Sequence, residues 1–249
     1  MYDEIIKTIV EKGGLTKLFL DYDGTLVDLV SQPEDAVPPV ELLGLLKELK
    51  KKVPLYLITG RDLNGLLSFV GSGFNVIAMH GSQFISETGE EWSVDNFEEY
   101  KKRTHEMSIK YSYLERDFPG LRVIDKVGGL QFHYYNVKKS DLESLERVIS
   151  KISEDGFEMY SGKYVFELRI EGMDKGKAMR RYVTRDDFIL FAGDDRTDEE
   201  AFVEFKEHIM IKVGKGETAA KFRVDSPADF KKLLTDLNES KVEVFRMEK

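Results

Sequence analysis

Short apolar runs alternate with amphipathic stretches twice in this chain, over residues 17–79 and again over 174–235, and a stretch of different pattern separates them. A buried apolar run followed by a helix, repeated, is the mark of βα units on a parallel sheet. In the first block, residues 17–21, 53–59 and 75–79 read as strands, and 3–11 and 40–51 as helices. Asp62 is placed to cap the helix after the second strand, and Pro39 suits the first turn of the helix at 40–51. In the last block, Asp174 opens a helix to about residue 185. Residues 188–192 and 208–213 read as strands, 197–206 as a helix, and Ser226-Pro227 opens the final helix.

Between the blocks the period changes from helical to two. Residues 83–94 read as a hairpin about Thr88-Gly89, 96–116 as a long polar helix, and 121–126 with 130–137 as strands joined across Gly128-Gly129. Ser140 with Glu143 has the spacing of a capping box, for a helix ending near residue 152, and 157–160 with 164–170 form a second hairpin. The expected architecture is therefore α/β, with a parallel-sheet core from residues 1–83 and 173–249 and an inserted α+β domain over 84–172. Trp92, Phe97, Tyr100, Tyr111 and Tyr113 are expected in the core of that insertion rather than on a ligand. In open parallel sheets ligands collect beyond the carboxyl ends of the strands.

Asp21-Tyr22-Asp23-Gly24-Thr25 stands at such an end. Two carboxylates two residues apart are costly where a strand stops unless a cation joins them, and Mg²⁺ suits oxygen ligands. Gly24 comes fourth from the first Asp, where an EF-hand loop needs its glycine sixth, and Gly214-Lys215-Gly216 lacks the spacing of a P-loop. After the strand at 188–192 comes Gly193-Asp194-Asp195-Arg196-Thr197-Asp198. Asp194 is the leading candidate for a further metal ligand and Asp195 the alternative. Asp198, at a helix start, is read as either support for the site or a cap. Thr59-Gly60-Arg61, a hydroxyl and free N–H groups before a helix, fits an anion nest, with all three as ligand-binding candidates. Lys175 can neutralise charge beside the carboxylates. His80, at a strand end, is expected to be a polar core group, with contact to substrate as the alternative.

The order of these motifs (carboxylate pair, hydroxyl, lysine, acidic cluster) resembles the haloacid dehalogenase superfamily, and the insertion resembles its type 2 cap. Asp21-Tyr22-Asp23-Gly24-Thr25-Leu26, Asp174-Lys175-Gly176-Lys177-Ala178, Gly193 to Phe202, and Ser161-Gly162-Lys163 with Glu167-Leu168-Arg169 are similar to the trehalose-6-phosphate phosphatases. The resemblance implies a nucleophilic Asp21, and Asp23 as acid and base. It also implies Mg²⁺ on Asp21, the Asp23 carbonyl and Asp194, with Thr59 and Lys175 on the phosphate. It implies sugar contacts from Lys126, Lys163 and Glu167, although spacing alone does not bring the last two together. The chain departs from the family at Ile124, where a glutamate is usual, and at Tyr135, where an arginine is usual. Sucrose phosphate or a mannosyl phosphate is therefore an alternative substrate, and a non-catalytic phosphosugar-binding subunit a more distant reading.

The chain has no cysteine, which excludes disulfides, thiolate metal sites and thiol catalysis. A net charge of −9 disfavours nucleic acid and anionic membranes as partners. No apolar run is long enough to span a bilayer and residues 1–13 have no leader-like apolar core, so a cytoplasmic location is expected. A trehalose-phosphate synthase is the expected protein partner.

Overall fold

The computed structural model describes residues 2–162 and 164–246. The first βα block gives α1 (Tyr2–Glu11), β1 (Lys17–Asp21), α2 (Val40–Leu49), β2 (Leu55–Ile58), α3 (Leu63–Val70) and β3 (Asn75–Ala78). A hairpin follows, β4 (Gln83–Ile85) and β5 (Glu91–Ser93). The middle of the chain supplies α4 (Phe97–Tyr111), α5 (Tyr113–Asp117), β6 (Arg122–Asp125), β7 (Leu130–His133), α6 (Leu142–Ile149), β8 (Phe157–Gly162) and β9 (Val165–Ile170). The last block is α7 (Lys175–Arg180), β10 (Ile189–Gly193), α8 (Arg196–Glu204), β11 (Ile209–Val213), β12 (Phe222–Val224) and α9 (Pro227–Glu239).

The first sheet runs β12-β11-β10-β1-β2-β3-β4-β5, parallel from β12 to β3. Its central strands are largely apolar because both faces are covered. Leu18, Leu20, Leu190, Ala192, Ile209 and Ile211 point into one cluster with residues of α1, α2, α3 and α9. The alternate residues Phe19, Ile189, Phe191 and Met210 pack with Ala178, Met179, Ala201 and Phe202 of α7 and α8. Asp62 caps α3 through Gly65 N, Asp174 caps α7 through Lys177 N, and Ser226 caps α9 through Asp229 N.

The second sheet, β6-β7-β9-β8, is antiparallel. Leu130, Phe132, Phe166, Leu168 and Ile170 face a cluster that includes Phe97, Met107, Tyr111, Leu114, Leu145 and Ile149 from α4, α5 and α6. The period of two then turns Gln131, His133 and Glu167 to the other face. That polar face is laid over the carboxyl ends of the parallel strands.

Several expectations are corrected. The hairpin 83–93 pairs antiparallel to β3 and extends the first sheet, so the change of sheet falls after Ser93 rather than at residue 84. Trp92 accordingly packs with Phe84 and Tyr182 at that edge, and Tyr113 is exposed, whereas Phe97, Tyr100 and Tyr111 lie in the second cluster as expected. Ser140 makes no capping box: its hydroxyl turns to Asp141, and α6 begins at Leu142 without a side-chain cap. The expected long helix breaks at Ser112, α7 stops at Arg180, and β12 has no counterpart in the sequence reading.

Candidate active site

Three neighbouring parallel strands, β10, β1 and β2, end at the same level, and each delivers a polar side chain there. Leu20 is level with Ala192, and Asp21 with Ile58, so Asp21, Asp194 and Thr59 emerge side by side. Beyond β1 the chain turns sharply. Gly24 N–H donates to Val27 O at 2.8 Å, and Gly24 takes a φ of +79°. The turn returns the Thr25 hydroxyl to Asp21 Oδ2 at 2.9 Å. A Cβ on Gly24 would lie 2.2–2.5 Å from the Asp194 carboxylate, and one on Gly193 equally close to that of Asp198. Only glycine at both places lets the two carboxylates approach.

Lys175, at the first position of α7, donates to Asp21 Oδ1 at 2.7 Å and to Asp198 Oδ1 at 2.6 Å. Asp21, Asp194 and Asp198 each offer an oxygen within 4.8 Å of the others, and all three are buried. Burial pushes the Asp21 carboxyl well above the ordinary range, Asp198 and Asp194 adding to the effect and Lys175 opposing it. Burial also works against the Lys175 charge, but Asp198 and Asp21 outweigh it, so the lysine stays a cation. Three carboxylates around one ammonium leave an excess of negative charge, which a divalent cation would offset.

Asp198 is therefore more than a cap. It is fully buried, binds Lys175, and accepts the Asp195 N–H at 2.9 Å as part of a capping box for α8. Asp195 is the N-cap of that helix, its carboxylate accepting from Arg196 N. The Asp23 carboxylate points elsewhere, into a two-pronged pair with Arg61. The Arg61 guanidinium is thus engaged with Asp23 and with Pro33 O at 2.8 Å, and the residue's backbone N–H, expected to be free for an anion, already has a partner in Thr59. Thr59 Oγ1 accepts the Arg61 N–H at 3.0 Å, leaving its own O–H to donate. Gly60 lies against the His80 ring, which a Cβ there would meet at 2.8 Å.

Above these groups is a cleft of about 860 Å³, open solvent included. Its core side carries Asp21, Asp23, Thr59, Gly60, Arg61, Lys175, Asp194 and Asp195. Its other side carries Lys126, Gln131, His133, Tyr160 and Glu167 from the antiparallel sheet. Burial holds the Lys126 ammonium below its usual range, and nearby Arg61 adds to this. The His133 imidazole is lowered by burial, then by Lys126 and Arg122. Lys163 lies outside the described residues. Gln131 and Tyr160 escaped the sequence reading, although alternation along β7 and across the β8–β9 pairs would have placed them beside Glu167, while His133 belongs to the His133-Tyr134-Tyr135 run that the family resemblance puts near the sugar. His80 is buried as expected, yet it also lines the cleft. Ile124 and Tyr135 are not among the described residues lining it.

Two further contacts join the sheets. Arg169 Nη2 reaches Glu200 Oε1 of α8 at 3.1 Å, and Arg122 Nη2 reaches Glu34 Oε1 at 2.9 Å. Among the described residues no helix is long and apolar enough to cross a membrane.

Comparison with known proteins agrees with this geometry. A trehalose-6-phosphate phosphatase-related protein of Thermoplasma acidophilum is 35% identical over 226 residues, covering 87% of this chain and 94% of the relative. A bifunctional trehalose-6-phosphate synthase/phosphatase of Thermoproteus tenax is 32% identical over 93% of this chain, which spans only 33% of that protein. A crystal structure of a trehalose-6-phosphate phosphatase-related protein superimposes with a TM-score of 0.82 at 32% identity, covering 90% of this chain and 97% of the other. The fold class is the one expected, a parallel-sheet core of haloacid dehalogenase-like fold with an inserted α+β region. The trehalose-phosphatase family model matches residues 19–231, and the chain belongs to that family of phosphatases.

Proposed function

We propose that this chain is a Mg²⁺-dependent phosphatase that hydrolyses trehalose 6-phosphate through an aspartyl-phosphate on Asp21. The observation that carries the reading is the buried group of Asp21, Asp194 and Asp198 around Lys175, beneath a cleft roofed by polar side chains. The excess negative charge and the two glycine clearances fit a hard divalent cation held by Asp21, Asp194 and the Asp23 carbonyl, with Asp198 and Asp195 behind them. Bound there, Mg²⁺ would neutralise phosphate charge and polarise the phosphoryl group.

The Asp21 carboxylate attacks phosphorus. The P–O bond to the sugar breaks as a P–O bond to Asp21 forms, and the Asp23 carboxyl gives its proton to the departing sugar oxygen. Asp23, now a carboxylate, takes a proton from water as the water oxygen attacks the same phosphorus. The Asp21–phosphorus bond then breaks and inorganic phosphate leaves. Lys175 and the Thr59 hydroxyl offset charge on the transferring phosphoryl, with the Gly60 and Arg61 backbone beside them. The inserted region that carries the antiparallel sheet acts as the cap, and Lys126, Lys163 and Glu167 contact the sugar.

A trehalose-phosphate synthase is the expected partner, in line with the bifunctional relative, and the cytoplasm the expected compartment. The departures at Ile124 and Tyr135 leave another phosphosugar as the second reading, although neither residue is among the described lining of the cleft.

The test is phosphate release from trehalose 6-phosphate, sucrose phosphate and mannosyl phosphate, with Mg²⁺ and with chelator. Turnover of trehalose 6-phosphate alone, lost on chelation, is the expected result. Turnover only of another sugar would overturn the substrate, and no release by folded protein would overturn the enzyme.

A further inference from the structure

Immediately after β3 the backbone does something L residues avoid. Met79 and His80 both take positive φ, 49° and 54°, and Gly81 follows at 108°. Such conformations persist where surrounding structure requires them, and they gather at functional sites. Here the result is to bring the His80 ring up between the two halves of the cleft. Space is cleared for this turn from both sides. A Cβ on Gly60, in the core, would lie 2.8 Å from the His80 ring. A Cβ on Gly129, in the antiparallel sheet, would lie 2.8 Å from Met79 Cε and 3.2 Å from Leu168 O.

The ring then makes one side-chain bond. His80 Nε2 lies 3.0 Å from Glu167 Oε2, and both residues are buried, 3% and 4% exposed. Burial would raise the Glu167 carboxyl, but His80, Lys126 and the nearby Gln131 amide more than offset this and hold it below its usual value. An ionised carboxylate only accepts, so Nε2 carries the proton and donates it. The other oxygen, Glu167 Oε1, is buried with no hydrogen-bond partner among the described residues, and so is His80 Nδ1. Buried polar atoms without partners are uncommon, and two on facing residues of one cleft point to a ligand rich in hydroxyls. The His80 N–H also donates to Thr59 O at 3.1 Å, which ties the same residue to the loop beneath the phosphate position.

We infer that His80 is a positioning residue. It holds Glu167 Oε2 so that Oε1 faces the cleft to accept a hydroxyl of the sugar, and so makes the site prefer a polyhydroxylated leaving group over a plain phosphomonoester. This rests on the phosphosugar reading above and adds how sugar recognition is held in register with the phosphate loop. A histidine that merely filled the core would, when changed, weaken all substrates alike.

The experiment compares trehalose 6-phosphate with p-nitrophenyl phosphate, which has no hydroxyl to offer. The variants are His80→Asn, His80→Gln, Glu167→Ala and the double variant His80→Asn/Glu167→Ala. The Gln amide nitrogen can stand near the position of Nε2, whereas that of Asn stands near Nδ1. His80→Asn is expected to raise KM for the phosphosugar about 10-fold, with a loss on the aryl phosphate at least about fivefold smaller. His80→Gln should recover most of the difference, and His80→Asn should add nothing once Glu167 is Ala. Equal losses on both substrates, or additive effects of the two substitutions, would overturn the inference. Should His80→Asn fail to fold, His80→Gln alone and with Glu167→Ala completes the same cycle, and additivity there overturns it equally. A wild-type protein that cleaves p-nitrophenyl phosphate but no phosphosugar would overturn the substrate reading, and the inference with it.

Discussion

Arg61 grips Asp23 with two parallel hydrogen bonds, Nε to Oδ2 at 2.7 Å and Nη2 to Oδ1 at 2.6 Å. The guanidinium is itself anchored by Pro33 O and lies over the Phe69 ring at 4.9 Å. Both oxygens of the proposed acid are therefore turned toward one fixed partner, and one must leave the fork to reach a departing sugar oxygen. A fork restrains Asp23 in a way that a point charge does not. Arg61→Lys should lower kcat for the phosphosugar by about 10- to 100-fold, because small misplacements of a catalytic group are costly. Steady-state kinetics check it, and an unchanged kcat would mean that Arg61 does not set the position of Asp23.

The proposed nucleophile sits in a cluster that is short of positive charge. Replacing Asp21 by Asn removes the attacking oxygen and one buried negative charge together. Turnover should fall by about 10³-fold or more. Thermal stability without added metal should hold or rise, because Asp198 and Asp194 lose a repulsive neighbour. Activity and melting temperature measured on one preparation separate the two effects. Substantial turnover by the Asn variant would remove Asp21 from its role.

Lys175 is the cation that makes this cluster tolerable, bonding Asp21 and Asp198 at 2.7 and 2.6 Å. Its folded-state pKa is raised above the ordinary 10.5. The linkage sign follows: its stabilisation is fully present below about 10.5 and is lost only as pH climbs through the raised value. Lys175→Met should cost about 3–5 kcal/mol at neutral pH, since it strands two buried carboxylates. The deficit should shrink in acid, where the cluster takes up a proton. Urea unfolding at neutral pH and at pH 5 tests this, and an equal deficit at both would show that the carboxylates do not respond.

How much of this was legible beforehand depended on whether the signal was local. Asp21, Thr59 and Asp194 each follow their own apolar run, so their place at strand ends could be read from neighbours in sequence. The hairpin at 83–93 could be recognised, but which sheet it joins is decided by pairing with β3, and its own alternation is silent on that. The Ser140 cap failed because its spacing is a common one and the hydroxyl had Asp141 as a nearer partner. Arg61 was read for the backbone N–H that follows a strand, and nothing local in sequence announces that its side chain reaches across 38 residues to Asp23. Asp198 could be read as a cap, but its second role needs Lys175, which arrives from 23 residues away. The polar face of the antiparallel sheet was available in principle, since Gln131, His133 and Glu167 alternate with residues of the second core.

At the opposite end of β1, Asp187 makes a different kind of ion pair. It accepts from Thr16 Oγ1 at 2.7 Å, Lys17 Nζ at 2.5 Å and the Thr184 N–H at 2.7 Å. Burial alone would raise this carboxyl, but Lys17, the Thr184 N–H and Thr16 overcome it and draw it down to about 2 from 3.8. An acid depressed in the folded state stabilises above its unfolded value and loses that contribution as pH falls through the folded one. Asp187 should therefore contribute about 1–2 kcal/mol above pH 5, fading between about pH 5 and 2. Asp187→Asn should be less stable by that amount at neutral pH and should lose less stability on acidification through that window. Denaturant unfolding at intervals from pH 7 to pH 2.5 measures both. An acid slope identical to that of the wild type would mean that Asp187 is not held in its charged form by Lys17 and its neighbours.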